Sequence, residues 1–331
     1  HSADDWLESV LPWTWEPEAQ CPRWMQALGE WFDEDLAKFD ALQEFFGYVC
    51  LSHARLKKAL VLYGKADTGK SLVALVLKAL AGEKYTTTLP VEHMDDPRRS
   101  HVLVGKRLNV MTELTTDAIM KDGGFKTLVS TGEPILIDPK FKPAFMYTPS
   151  AKHVIATNNL PNITDRTEAT FNRLLLIPFL RVIEAGDQDI ELLAKLKVEM
   201  PGILAWALEG AKRLAANDGQ WTEIGSAAAL MAEYRAECNP VLAFVTERMA
   251  VEEGYATPLT EITREFNSWF GGSRKYDVRR VGRALRAAGF ELGRASVSGH
   301  QARSLLGYVI RGDPGLLHPG NMWTQDVEDR A

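Results

Sequence analysis

Between Leu36 and Val49 the residues Leu36, Phe39, Leu42, Phe45, Phe46 and Val49 recur at helical spacing. Trp6, Trp13, Trp15, Trp24 and Trp31 surround them, so residues 1–55 predict a small helical, aromatic-rich domain. Its aromatics either pack that domain or form a subunit interface. From Lys57 to Leu180 the pattern changes to short apolar runs alternating with helical stretches, as in an α/β domain with a mostly parallel sheet. The predicted strands are 58–63, Leu108 to Met111, His153 to Thr157 and Leu174 to Phe179. Helical spacing returns from 187 to 236, first with Ile190, Leu193 and Leu196, then Ile203, Trp206 and Leu208, then Ala227 to Tyr234. Asn239-Pro240 is a natural break. Beyond it, Leu259 to Trp269 predicts a helix with Ile262, Phe266 and Trp269 on one face. Tyr276 to Ala288 predicts another, with Val278, Val281 and Leu285 inward and Arg279, Arg280, Arg283 and Arg286 outward. The division expected is 1–55, 56–238 and 239–331, the last with a tail.

Charge sharpens this outline. The net charge of -6 hides an asymmetry. Residues 274–311 carry Arg274, Lys275, Arg279, Arg280, Arg283, Arg286, Arg294, Arg303 and Arg311 against only Asp277 and Glu291. The first forty residues lean acidic. A basic end on an acidic chain points to a locally anionic partner. Cys21, Cys50 and Cys238 match no metal-ligand or disulfide spacing, which suits a reduced, cytoplasmic protein. No apolar run approaches membrane-spanning length, so no membrane partner is expected. The start at His1-Ser2, without Met, reads as a tag scar on a piece of a longer chain.

Chemistry enters at Gly64-Lys65-Ala66-Asp67-Thr68-Gly69-Lys70-Ser71, which fits the phosphate-binding pattern G-x-x-x-x-G-K-[ST]. A predicted strand precedes it, and a helix ended by Gly82 follows. That context aims backbone N–H groups at an anion, with Lys70 on the β/γ-phosphates and the Ser71 hydroxyl on Mg²⁺. Glu113 follows the strand 108–111, at the strand end where open α/β sheets bind ligands. A carboxylate there suits the Mg²⁺ shell and the attacking water. Asn158 follows the strand 153–157, and its carboxamide suits that water or the γ-phosphate. Either residue alone is also ordinary strand-end chemistry. Arg173 opens the run 174–179, where it serves either as a surface ion-pair partner or as an arginine finger for a neighbouring subunit.

Taken in order, these pieces resemble the superfamily 3 helicases, a branch of the AAA+ ATPases, and among them phage, plasmid and large-virus primase–helicases. The matching residues are Leu11-Pro12, Cys21-Pro22, Phe46-Gly47-Tyr48, the loop 64–71, Glu113, Lys126 to Pro134, Ala156 to Pro161, Arg173 and Ile177-Pro178-Phe179. Four positions depart from the family pattern: Ala66, Thr68, Thr112 before Glu113, and Asn172, which leaves Arg173 as the finger candidate. The resemblance implies a signature hairpin over Ile135 to Tyr147, whose tip presents Lys140, Phe141 and Lys142. Two cations around an aromatic suit a phosphate backbone and a stacked base. The basic end reads as a winged helix, with Arg279, Arg280, Arg283 and Arg286 on its recognition-type helix. The expected activity is ATP-dependent, 3′→5′ unwinding of single-stranded and forked DNA by a homo-oligomeric ring, a hexamer, in phage, plasmid or prophage replication. ATP and Mg²⁺ are the expected cofactors, and a primase domain or protein is a further expected partner. Two other readings stay open: a weakly hydrolysing origin-binding or loading ATPase, and a P-loop kinase.

Overall fold

The computed structural model describes residues 10–114, 118–130, 132–163, 168–271, 275–297 and 300–311. Expectations on Trp6, Thr131, Arg274 and the tail beyond 311 lie outside these residues. The chain divides into two compact units, residues 1–165 with 169–231, and residues 166–168 with 232–331.

The first unit begins with helices α1 (Pro22–Phe32) and α2 (Leu36–Cys50). Strand β1 (Ala59–Gly64) then runs into α3 (Lys70–Ala81). After β2 (Thr86–Thr87) and β3 (Leu108–Met111) come β4 (Ile119–Met120) and α4 (Asp122–Leu128). Strands β5 (Ile135–Ile137) and β6 (Phe145–Tyr147) form an antiparallel hairpin, as expected. The chain continues through β7 (Lys152–Thr157), β8 (Asn162–Ile163), α5 (Glu168–Phe171) and β9 (Leu174–Phe179). Helices α6 (Leu192–Val198) and α7 (Met200–Ala216) follow, and α8 (Gly225–Cys238) begins in this unit and ends in the second.

Strands β1, β2, β3, β7 and β9 form one sheet in the order β2-β3-β7-β1-β9, with every pairing parallel. Strands β3, β7 and β9 are buried throughout, as expected when both faces of a parallel sheet are covered; β9 is a continuous apolar run, whereas β3 and β7 also bury Asn109 and His153, whose side chains meet at 3.1 Å. The four predicted strands therefore stand within one residue of their expected ends. The N-terminal aromatics find partners in this unit. Trp24 packs edge-on to Trp206 of α7 at 5.6 Å, and Phe32 meets Phe179 of β9 at 5.0 Å. The buried Glu44 carboxylate of α2 accepts from Arg213 Nε at 2.9 Å and from the Thr222 hydroxyl at 2.7 Å, so α2 is tied to α7 by charge as well as packing. One helical expectation fails: Ile190 precedes α6 and is 97% exposed.

In the second unit α9 (Pro240–Arg248) leads into β10 (Met249–Pro258), then α10 (Leu259–Phe270), α11 (Val278–Ala287), β11 (Leu292–Val297) and β12 (His300–Ile310). The strands form an antiparallel sheet ordered β10-β12-β11. Val241, Phe244, Ile262, Phe266, Val281, Leu285 and Leu305 fill the core between helices and sheet. At the expected break, Asn239 is the N-cap of α9, its side chain accepting from Leu242 N at 3.3 Å. Val278, expected inward, is exposed: it shares the row of Val281 and Leu285 but occupies the first helical position, a turn ahead of the buried part of that row.

Candidate functional site

The turn from β1 into α3 is shaped by two glycines with different duties. Gly64 lies beside Phe179, and a Cβ there would fall 2.1 Å from the Phe179 carbonyl oxygen. Gly69 has φ +94° and caps α3, and a Cβ on it would fall 2.6 Å from Trp31 Cε2. Only glycine satisfies both the left-handed backbone and the indole at that position. Asp67 also takes a positive φ, 57°, and its carbonyl accepts from Ile183 N at 2.8 Å, which ties the crest of the loop to the segment after β9.

Inside the loop, Thr68 Oγ1 donates to the Lys65 carbonyl at 3.0 Å. Lys70 Nζ folds back onto that same carbonyl and onto Thr68 Oγ1 at 3.1 Å. With 6% exposure, Lys70 is held below the ordinary lysine pKa by burial, partly opposed by the Asp67 carboxylate. The ammonium thus sits where an incoming phosphate offers a better partner than a loop carbonyl. Ser71 is exposed in the first turn of α3.

Strand order completes the site. Because β7 lies between β3 and β1, the residues following all three strands face one cleft of about 600 Å³. Ala66 to Leu72, Thr112, Glu113, Asn158 and Asn159 line it, with Trp31 from α1 and Ile183, Gln188, Asp189 and Leu192 opposite. The turn that presents Asn158 is braced by Thr157, whose Oγ1 donates to the Asn159 carbonyl at 2.6 Å. The buried Lys70, the exposed Ser71 hydroxyl and the Glu113 carboxylate form a donor set that fits a triphosphate with Mg²⁺, an ion usually held by one or two protein oxygens plus phosphate. Lys65 lies in the loop, with its side chain exposed.

Arg173 is absent from this cleft. Its carbonyl accepts from Ala59 N at 2.8 Å at the opening of β1, and its guanidinium donates to the Ala169 carbonyl at 2.6 Å. The loop begins at the far end of β1, about 17 Å away along the strand.

The hairpin tip is a second candidate surface. Phe141 is 93% exposed at φ +64°, with Lys140 Nζ 4.9 Å from its ring centroid, and Lys142 is exposed beside it. A left-handed phenylalanine pointing into solvent is strained and buries almost nothing, so packing does not account for it. Sequence reading missed Arg98 and His101, which share an open hollow with this tip. Asp138 N donates to the Pro97 carbonyl at 3.1 Å, and Arg98 pairs with Asp138 at 3.6 Å. The Arg98-Arg99 pair was the available signal. On α11, Arg279, Arg283 and Arg286 are exposed, while Arg280 stacks on the Tyr276 ring at 3.7 Å.

A family model described as "Family of unknown function (DUF5906)" matches residues 62–173, from just before the loop to Arg173. The fold is similar to a solved structure described as the apo A form of the NrS-1 C-terminal region, with TM-score 0.54 at 13% identity, covering 90% of this chain and 76% of that one. Two further NrS-1 C-terminal structures are looser likenesses, with TM-scores 0.47 and 0.46 at 15% and 14% identity, each covering 90% of this chain and 77% of that one. At such identities the likeness is one of fold.

Proposed function

We propose that this chain is an ATP-dependent DNA motor, a ring-forming helicase of the superfamily 3, AAA+ type, serving phage, plasmid or prophage replication. One observation carries the reading: the parallel order β2-β3-β7-β1-β9 brings Lys70, Glu113 and Asn158 to the phosphate-binding loop in a single cleft. Lys70 exchanges the Lys65 carbonyl for the β/γ-phosphates. Backbone N–H groups at the start of α3 cradle the remaining oxygens. Glu113 orients and activates the attacking water, and the Asn158 carboxamide holds it against the γ-phosphate. Ser71 and Glu113 would hold a Mg²⁺ ion, which would supply neutralisation of charge on the phosphates.

Arg173 lies far along the sheet from the cleft of its own subunit, which suits a finger reaching a neighbour's nucleotide in a ring. The exposed Lys140, Phe141 and Lys142 suit single-stranded DNA, one aromatic face for a base and two ammonium groups for phosphates. In the second unit, three helices around a β10-β12-β11 sheet support a winged helix, with Arg279, Arg283 and Arg286 directed at duplex phosphates and Arg280 held on Tyr276.

Steady-state ATP hydrolysis with and without single-stranded DNA, followed by displacement of a strand from a fork, tests the reading. Hydrolysis stimulated by DNA and coupled to displacement is the expected result. DNA-stimulated hydrolysis without displacement would favour a loading or origin-binding ATPase. Turnover indifferent to DNA would favour a small-molecule kinase.

A further inference from the structure

Trp31 is the one cleft residue contributed by α1, and neither the loop pattern nor the proposed chemistry uses it. Its ring lies flush under the loop, since a Cβ on Gly69 would fall 2.6 to 2.9 Å from Cε2, Nε1 and Cδ2. The side chain is 1% exposed, and its Nε1–H finds no acceptor. A buried donor without a partner costs about 1–3 kcal/mol, so it is kept only where something repays it. Among the described residues, Trp24 and Trp221 share this defect, but only Trp31 borders the cleft. In the loop beside it, Lys70 is folded onto the Lys65 carbonyl.

We propose that Trp31 is a ligand of the bound nucleotide: when Lys70 leaves the Lys65 carbonyl for the phosphates, the indole N–H donates to a phosphate oxygen beside Gly69. The inference rests on the nucleotide-binding reading of this cleft. It makes α1 part of the nucleotide site. It also gives Gly69 a second reason to lack a side chain, since any Cβ would displace the indole from the loop.

The test is calorimetric titration of the full chain with ADP and Mg²⁺, comparing wild type, Trp31→Phe and Trp24→Phe. Phenylalanine keeps an aromatic ring in the pocket but removes the indole's second ring along with the donor, a loss of packing that Trp24→Phe reproduces. Trp24→Phe removes an equally orphaned N–H from a ring 6.0 Å away, outside the cleft. The expected result is a Kd raised about tenfold in Trp31→Phe, the loss of one hydrogen bond to a charged oxygen, and unchanged within about twofold in Trp24→Phe. Equal affinity in wild type and Trp31→Phe, or equal weakening in both variants, overturns the proposal.

A second measurement does not depend on a variant folding. The nine tryptophans give indole N–H signals in a ¹⁵N-labelled sample, and one of them should shift downfield with ADP and equally with inorganic tripolyphosphate. A shift with ADP alone places the acceptor on the nucleoside and overturns the phosphate assignment. No shift in any indole signal, in a protein that calorimetry shows to bind ADP, overturns the proposal while the nucleotide site stands. A wild-type chain that binds no nucleotide overturns the site reading itself.

Discussion

The cleft around the 64–71 loop, proposed above to hold a nucleotide, and the hairpin tip each combine lysine with a left-handed residue, yet their surroundings are opposite. In the cleft, Lys70 is 6% exposed, Gly69 is pressed against Trp31, and the Asp67 carbonyl is tied to Ile183 N. At the tip, Phe141 is 93% exposed, and the turn is closed by a bond of 3.2 Å from Lys142 N to the Pro139 carbonyl. Burial around Lys70 strengthens every charge interaction and admits one shape of ligand. Exposure at the tip keeps the dielectric high, so the proposed affinity for a single strand there would come from stacking and counterion release and stay indifferent to sequence. On the proposed reading, a site that must hold one molecule is built inside the sheet, whereas a surface that must grip and release a polymer is placed outside it.

Lys70→Ala should break the cleft side of this comparison most severely. The side chain makes its bonds only within the loop, so the fold should survive while ATP hydrolysis falls by at least about a hundredfold. Hydrolysis at the wild-type rate would remove the cleft from the chemistry. Arg173→Ala should cut hydrolysis about as deeply but from outside the cleft, since a finger in trans is worth about a thousandfold or more. Mixing the two inactive proteins should restore part of the activity, because some interfaces then pair an intact Lys70 with an intact Arg173. No recovery, in assemblies shown to exchange subunits, would return Arg173 to a structural role on its own β9.

Legibility divides along the same line. The buried strands are readable in the sequence because short apolar stretches dominate each, in spite of Asn109 in β3 and Lys152 and His153 in β7, and their ends locate Glu113 and Asn158 without any knowledge of the fold. The loop is readable because its chemistry is local. Strand β10 is not, since Glu252, Glu253 and Gly254 interrupt its alternation and its register shifts between Val251 and Ala256. Trp31 has no assignable role in the sequence, because an aromatic at helical spacing looks alike whether it packs a helix or underlies a phosphate loop far along the chain. Arg98 and His101 join the hairpin tip only through the fold, by the bond between Asp138 and Pro97.

On the tip side, Phe141→Ala should weaken single-stranded DNA binding about tenfold, within the roughly 1–3 kcal/mol of one stacked base. ATP binding should be unchanged, because Phe141 is no part of the cleft lining. Phe141→Trp should bind at least as tightly as wild type. Equal binding by all three proteins would leave the strained, exposed ring without a function and weaken the case for the tip.

The smallest effect is the most diagnostic. Lys140→Ala with Lys142→Ala removes two exposed ammonium groups and no buried contact, so stability and basal ATP hydrolysis should hold. Each phosphate contact to a single strand contributes about 0.7 to the slope of log affinity against log salt, so the double variant should lower that slope by about 1.4. Its affinity should approach that of wild type as salt rises. Phe141→Ala should do the reverse, lowering affinity at every salt concentration while leaving the slope in place, since stacking releases no counterions. If the two variants shift the slope alike, the tip does not divide its grip between charge and stacking. If neither moves it, DNA does not pass this hairpin, and the contrast between a buried nucleotide cleft and an exposed polymer grip fails on its second half.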